Sequence, residues 1–171
     1  MYITFEEYLE LYDECTESCN AMDERIFNRL AFDVCRLMDI HTTGIDNVKK
    51  LQRYFPTDEY NARAVKHCAA KMVNFLDQIR EAETSAAMAR GYTETDQGLQ
   101  RRVISRVESG NESISYSETK STNTDVDAAV ADKKVRNTIL ADIIWECLSG
   151  VEDSNGVSLL YMGKYPRGYV C

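Results

Sequence analysis

The chain has 171 residues, 44 % of them apolar, and a formal net charge of −8. That suits a single modest core and argues against tight nucleic-acid binding, because Arg101-Arg102 and Lys133-Lys134 are isolated pairs and no basic stripe is present. No stretch approaches the roughly 20 apolar residues of a membrane helix. The start has no basic n-region or small-residue cleavage site, so a reducing compartment is expected, with the six cysteines as free thiols.

Two prolines and eight glycines leave few breaks, which favours long helices over a many-turned sandwich. In chain order, Phe5, Tyr8, Leu9 and Tyr12 share a face of a short acidic helix predicted over residues 3–12. The first twenty residues carry six acidic side chains and no Lys or Arg. Residues 13–21 read as a break. A long helix follows over about 22–41, with Ile26, Phe27, Leu30, Ala31, Val34, Leu37 and Met38 as its buried stripe and Gly44 as a left-handed cap. Residues 45–55 are a short helix or loop ending at Pro56. Thr57 is the expected N-cap of a second long helix over about 58–84, buried through Ala62, Val65, Ala69, Met72, Val73, Leu76 and Ile79.

Periodicity fades over 85–102, which reads as a flexible connection with weak helix at its start. Val103 and Val107 lie before Gly110-Asn111, and Ile114 and Tyr116 alternate with serines after it. That is a hairpin signal in a polar, weakly buried arm. Thr124-Asp-Val-Asp127 resembles a capping box and opens a third long helix over about 125–149, ended by Gly150. The tail holds an apolar run of strand length, Val157 to Met162, then Tyr165 and Tyr169. A tail of this kind either folds back on its own domain or docks on a partner. The fold class is therefore mainly α: one domain over 1–171, with a helical core at about 22–84 and 125–149, an extended hairpin-like arm at about 85–124 and an extended C-terminal tail at 151–171.

Little in the chain suggests catalysis. There is no Gly-rich phosphate loop and no nucleophile elbow. The only histidines are His41 and His67, and no Cys–His pair has an interpretable spacing. Cys15 and Cys19 lack the second close pair of a zinc site. Cys35, Cys68 and Cys147 read as small core residues. Glu6-Glu7 is a solvated face, since adjacent helix residues do not converge. Trp145 is either a binding hot spot or core. No catalytic residue, cofactor or metal is expected.

Several segments, in order, resemble the head–tail connector (adaptor) family of long-tailed bacteriophages. They are Met1-Tyr-Ile-Thr-Phe-Glu-Glu-Tyr8, Phe27-Asn-Arg-Leu-Ala-Phe-Asp-Val-Cys-Arg-Leu-Met-Asp39, Val107-Glu-Ser-Gly-Asn-Glu-Ser-Ile-Ser-Tyr-Ser117 and Leu159-Leu-Tyr-Met-Gly163. Two stretches depart from the family pattern: 85–102 is longer, and the tail continues beyond Gly163. The resemblance implies a non-enzymatic ring, often of twelve subunits, in the virion neck beneath the portal protein. DNA passes through such a ring without specific binding. Its implied partners are the portal, neighbouring copies and the next neck or tail-completion protein, with no membrane. The implied tail interface is Val157, Leu159, Leu160, Tyr161, Met162 and Tyr165, reaching a partner by strand addition. Leu159 and Tyr161 would then face one way and Leu160 and Met162 the other. The implied arm interface is Val103, Val107, Ile114 and Tyr116. Deleting 157–171 is then expected to spare the helices and abolish portal binding. The competing reading is a small cytoplasmic helical protein-binding or regulatory module that forms no ring.

Overall fold

A computed structural model describes residues 1–13, 22–89, 92–95, 98–101 and 124–166. The protein is mainly helical, in the order α1 (Phe5–Asp13), α2 (Glu24–Thr42), α3 (Lys50–Arg53), α4 (Glu59–Ala89), β1 (Tyr92–Thr95), β2 (Gly98–Arg101), α5 (Thr124–Ala131) and α6 (Lys133–Leu148). It divides into two units, Met1–Asp77 with Asn137–Cys171, and Gln78–Arg136. Among the described residues no helix is long and apolar enough to cross a membrane.

The first unit holds the main core. Phe27, Ala31, Val34 and Met38 of α2 are fully buried, as are Val65, Cys68, Ala69, Met72 and Val73 of α4 and Ile144 and Leu148 of α6. These positions follow the three- and four-residue steps of the sequence stripes. Asp23 caps α2 by accepting the Arg25 N–H at 3.2 Å. The cap of α4 is Asp58, not Thr57: its carboxylate accepts the Asn61 N–H at 3.0 Å and its carbonyl the Ala62 N–H at 2.9 Å.

α1 is fastened by a device the sequence reading missed. Thr4 Oγ1 accepts the Glu7 N–H at 3.2 Å, and Glu7 Oε2 accepts the Thr4 N–H at 2.9 Å. This reciprocal pair is a capping box. Ile3 and Tyr8, the positions a hydrophobic staple joins across such a box, are both buried. Lys66 donates to Glu7 Oε1 at 2.7 Å and, with the Thr4 amide, holds the Glu7 carboxyl below its ordinary range. A carboxyl lowered in the folded state stabilises the fold above its unfolded pKa, and that support is lost as pH falls through the folded value. Urea midpoints taken from about pH 6 to about pH 3 should therefore fall less steeply for Glu7→Gln than for the native chain.

In the second unit α4 continues to Ala89, five residues beyond its expected end. The stretch read as a flexible connection instead pairs β1 with β2 antiparallel, Tyr92 opposite Arg101 and Thr95 opposite Gly98. The third long helix is two helices. Asp132 separates them, its carboxylate accepting the Lys134 N–H at 2.8 Å and its carbonyl the Arg136 N–H at 3.1 Å, so it caps α6 as α5 ends. Ile79, Val126 and Ala129 are buried here. Arg136 joins Glu83 at 2.6 Å and donates through Nε to the Ala129 carbonyl at 3.1 Å. Gly150 closes α6 at positive φ (80°), as a residue following a helix C-terminus favours.

Candidate functional site

The segment after α6 belongs to the first unit, and a buried lysine holds it there. Lys50 begins α3 and has no exposed surface. Its ammonium donates to the carbonyls of Ser158 at 3.1 Å and Leu159 at 2.9 Å and to that of Tyr161, and it lies 5.7 Å from the centre of the Tyr161 ring. Burial lowers its proton affinity, and Asp153 and Asp46 oppose that shift. Asp153, also buried, accepts N–H groups from Asn155 at 2.9 Å and Val157 at 3.0 Å and the Tyr165 hydroxyl at 2.6 Å. Burial, then this carboxylate, pushes the Tyr165 phenol up to about 12. The Tyr165 ring stacks on Tyr54 with centroids 4.8 Å apart, and its N–H reaches Asp46 at 2.8 Å.

These contacts correct the expectation of an extended tail. Val157 to Met162 is not a strand; it bends through turns, with one isolated bridge between Glu152 and Ser158. Leu159 is fully buried while Tyr161 and Met162 are exposed, so the alternation of faces fails. Most of the main-chain carbonyls that strand addition would use are already taken. The Val157 carbonyl accepts from Asp153, the Met162 carbonyl from Ile45 and those of Ser158, Leu159 and Tyr161 from Lys50, while the Leu159 N–H donates to Val151. Of the tail residues expected at an interface, Leu159 is core and Tyr165 is tied down. Val157 and Leu160 are half-buried, and Tyr161 and Met162 remain presented. Val103, Val107, Ile114 and Tyr116 lie outside the described residues. Gly44 has a role other than the expected cap. It does not take positive φ, and a Cβ there would meet the Gly163 carbonyl oxygen at 2.5 Å, so glycine is needed where the tail passes.

Beside this clasp a groove of about 810 Å³ runs along the outer face of α2. Phe32, Arg36 and Ile40 recur at four-residue steps along it, opposite the core stripe. Met1 and Gly44 also line it, with Asp39, Lys49 and Gln52 as polar rim. Phe32 is 68 % exposed and Ile40 55 %. Ile45 follows Gly44 and binds Met162 through the main chain, and both side chains are exposed, so apolar surface continues from the groove to the tail. The rim is organised: Asp39 accepts the Tyr2 hydroxyl and, at 2.6 Å, the Gln52 amide. Burial, then Asp39, raises the Tyr2 phenol well above its ordinary pKa. The sequence signal for this site was two large apolar residues on the polar face of an amphipathic helix. Trp145, left open between core and hot spot, is 60 % exposed.

Among the described residues no group of three or more His, Cys, Asp or Glu is placed to hold a metal ion. Cys68 of α4 is fully buried in the core, and Cys147 of α6 is half-buried against the same cluster.

Comparison with protein families, with curated proteins and with solved structures finds no match for this chain.

Proposed function

We propose that the protein is a structural subunit of a bacteriophage neck, a head–tail connector that assembles as a ring beneath the portal, carries no reaction and joins the filled head to the tail. The observation that carries this reading is the apolar stripe of Phe32 and Ile40 along the α2 groove, continuing to Ile45 and Met162 on an otherwise acidic chain. Exposed apolar surface of this kind, bordered by polar groups, is characteristic of a protein interface. The occupant we assign is a neighbouring copy. Arg36 and Lys49 at the groove are exposed, and exposed Glu6 and Glu10 on α1 supply the complementary charge on the next subunit. Contact between two different patches is heterologous and closes into a ring when the rotation permits. An acidic conduit lets DNA pass without adhering. The order of the connector-like segments adds the portal and the next neck protein as partners and the virion as location.

The test is electron microscopy and sedimentation of the chain mixed with portal rings of the same phage. Added ring density is expected beneath the portal. Phe32→Asp combined with Ile40→Asp should reduce that density about tenfold or more while changing stability by no more than about 0.5 kcal/mol each, because both side chains are exposed. Point substitutions are the right probe. Deleting 157–171 also removes Leu159 from the core and the acceptors of Lys50, so that truncation would damage the fold itself.

A helical binding module without a ring is the second reading, favoured by the ordered Asp39 rim of the groove. A chain that stays monomeric with portal, yet captures a peptide in a manner sensitive to Phe32→Asp, would establish it.

A further inference from the structure

The connector reading makes no use of the turn between α6 and the tail, where the chain carries its single Asn-Gly step, Asn155-Gly156. Asparagine before glycine is chemically labile. The glycine nitrogen can attack the side-chain amide carbon, because the glycine has no side chain to obstruct the approach. Here the fold withholds both reactants. The Gly156 N–H donates to the Asp153 carbonyl at 3.0 Å, and Gly156 holds a positive φ of 74°. Asn155 Nδ2 donates to the Tyr165 hydroxyl at 2.9 Å, and that hydroxyl donates to Asp153 Oδ2 at 2.6 Å. The direction of this chain is fixed, since a phenol whose only hydrogen goes to a carboxylate must accept from the amide. Gly156 is exposed and Asn155 half-buried, so water reaches the turn.

We propose that Asn155 is a deamidation site gated by Tyr165: protected while the end of the tail is docked, reactive when it lifts, and unable to restore the docked arrangement afterwards.

The steps balance. The Gly156 nitrogen bonds to Asn155 Cγ, and its proton goes to the side-chain nitrogen, which leaves as ammonia. The succinimide so formed takes up water at either carbonyl. The ring opens to aspartate or, with the main chain rerouted through the side chain, to isoaspartate. No oxidant or cofactor enters. The product has no hydrogen to give Tyr165. Its carboxylate stands one hydroxyl away from that of Asp153, where like charges oppose each other. Tyr165 then keeps only its stack on Tyr54 and its N–H bond to Asp46. The carbonyls that Lys50 binds lie outside the reaction, so the change loosens the end of the tail and not its anchor.

The experiment ages the folded full-length chain in mildly alkaline buffer beside a synthetic peptide of residues 152–159. Digests are read by mass spectrometry with fragmentation that separates aspartate from isoaspartate. Asn155 of the native chain should react about tenfold or more slowly than the peptide, because reaction waits on local opening. Tyr165→Phe should raise the rate in the protein about fivefold, the gain in open population when one net hydrogen bond is lost. Asn155→Asp supplies the product directly and should speed amide exchange at Tyr165 while leaving helical circular dichroism unchanged. Equal rates in native chain and peptide, or in native chain and Tyr165→Phe, overturn the gate. An Asn155→Asp chain with native protection at Tyr165 overturns the irreversible release. Should Tyr165→Phe fail to fold, the comparison of native chain with peptide still decides the matter. None of these results bears on ring assembly, which is read separately by the groove substitutions.

Discussion

Replacing Lys50 by methionine is expected to lower the free energy of unfolding by about 2–4 kcal/mol, since each buried acceptor left without its donor costs about 1–3 kcal/mol. Three main-chain carbonyls converge on this one ammonium, those of Ser158, Leu159 and Tyr161. Methionine matches the stem in length and polarity but supplies no donor. The Ser158 carbonyl still accepts the Tyr161 N–H at 3.1 Å, so two acceptors are orphaned, and removing the buried charge recovers part of the desolvation cost, which keeps the expected loss below their sum. Urea titration measures the total. Hydrogen exchange locates it: the amides of Leu159 and Tyr161, bonded to Val151 and Ser158, should lose protection first. Unchanged protection there would show that the tail is held by the Leu159 side chain alone.

Phe27→Ala is expected to cost about 3–5 kcal/mol, the range for deleting a large buried aromatic. Phe27 has no exposed surface, and its ring meets Phe5 at 5.3 Å and Tyr8 at 5.1 Å between centroids. Those two rings belong to α1, so the cavity opens where α1 rests on α2. A nine-residue helix is too short to persist alone in water. Faster amide exchange should therefore appear in α1 before α2 or α4. If α1 keeps its protection while global stability falls, the capping box and the Lys66–Glu7 pair hold α1 in place without the aromatic contact.

The long helices were legible because burial imposes a period on the sequence. Phe27, Ala31, Val34 and Met38 of α2 and Val65, Ala69, Met72, Val73 and Ile79 of α4 are buried as their spacing requires, while Leu30, Leu37 and Leu76 on the same stripes are half-buried. Errors arose where a single polar side chain decides the backbone. Asp132 splits a continuous apolar pattern by capping from within it, and nothing in periodicity marks such a residue. The tail was misread for a related reason. Val157 to Met162 has the composition of a strand, but its carbonyls answer to a lysine over a hundred residues earlier. A charged residue beside Leu51 reads locally as solvent-facing, and only the tertiary fold reveals its acceptors. The groove was half legible: Phe32 and Ile40 stood off the core stripe in plain view, yet the rim formed by Asp39 and Gln52 depends on how α2 meets the segment at α3.

The first unit is made of two stretches of chain, one ending at Asp77 and the other starting at Asn137. Its integrity therefore depends on the ends of that excursion meeting, and only weakly on how far the chain travels between them. Loop-closure entropy grows logarithmically, so doubling the excursion would cost only about 0.6 kcal/mol. For the first unit, a change of length between the two stretches and outside their helices thus costs less than a shift of one residue in α2 or beside Lys50, which would misplace the core.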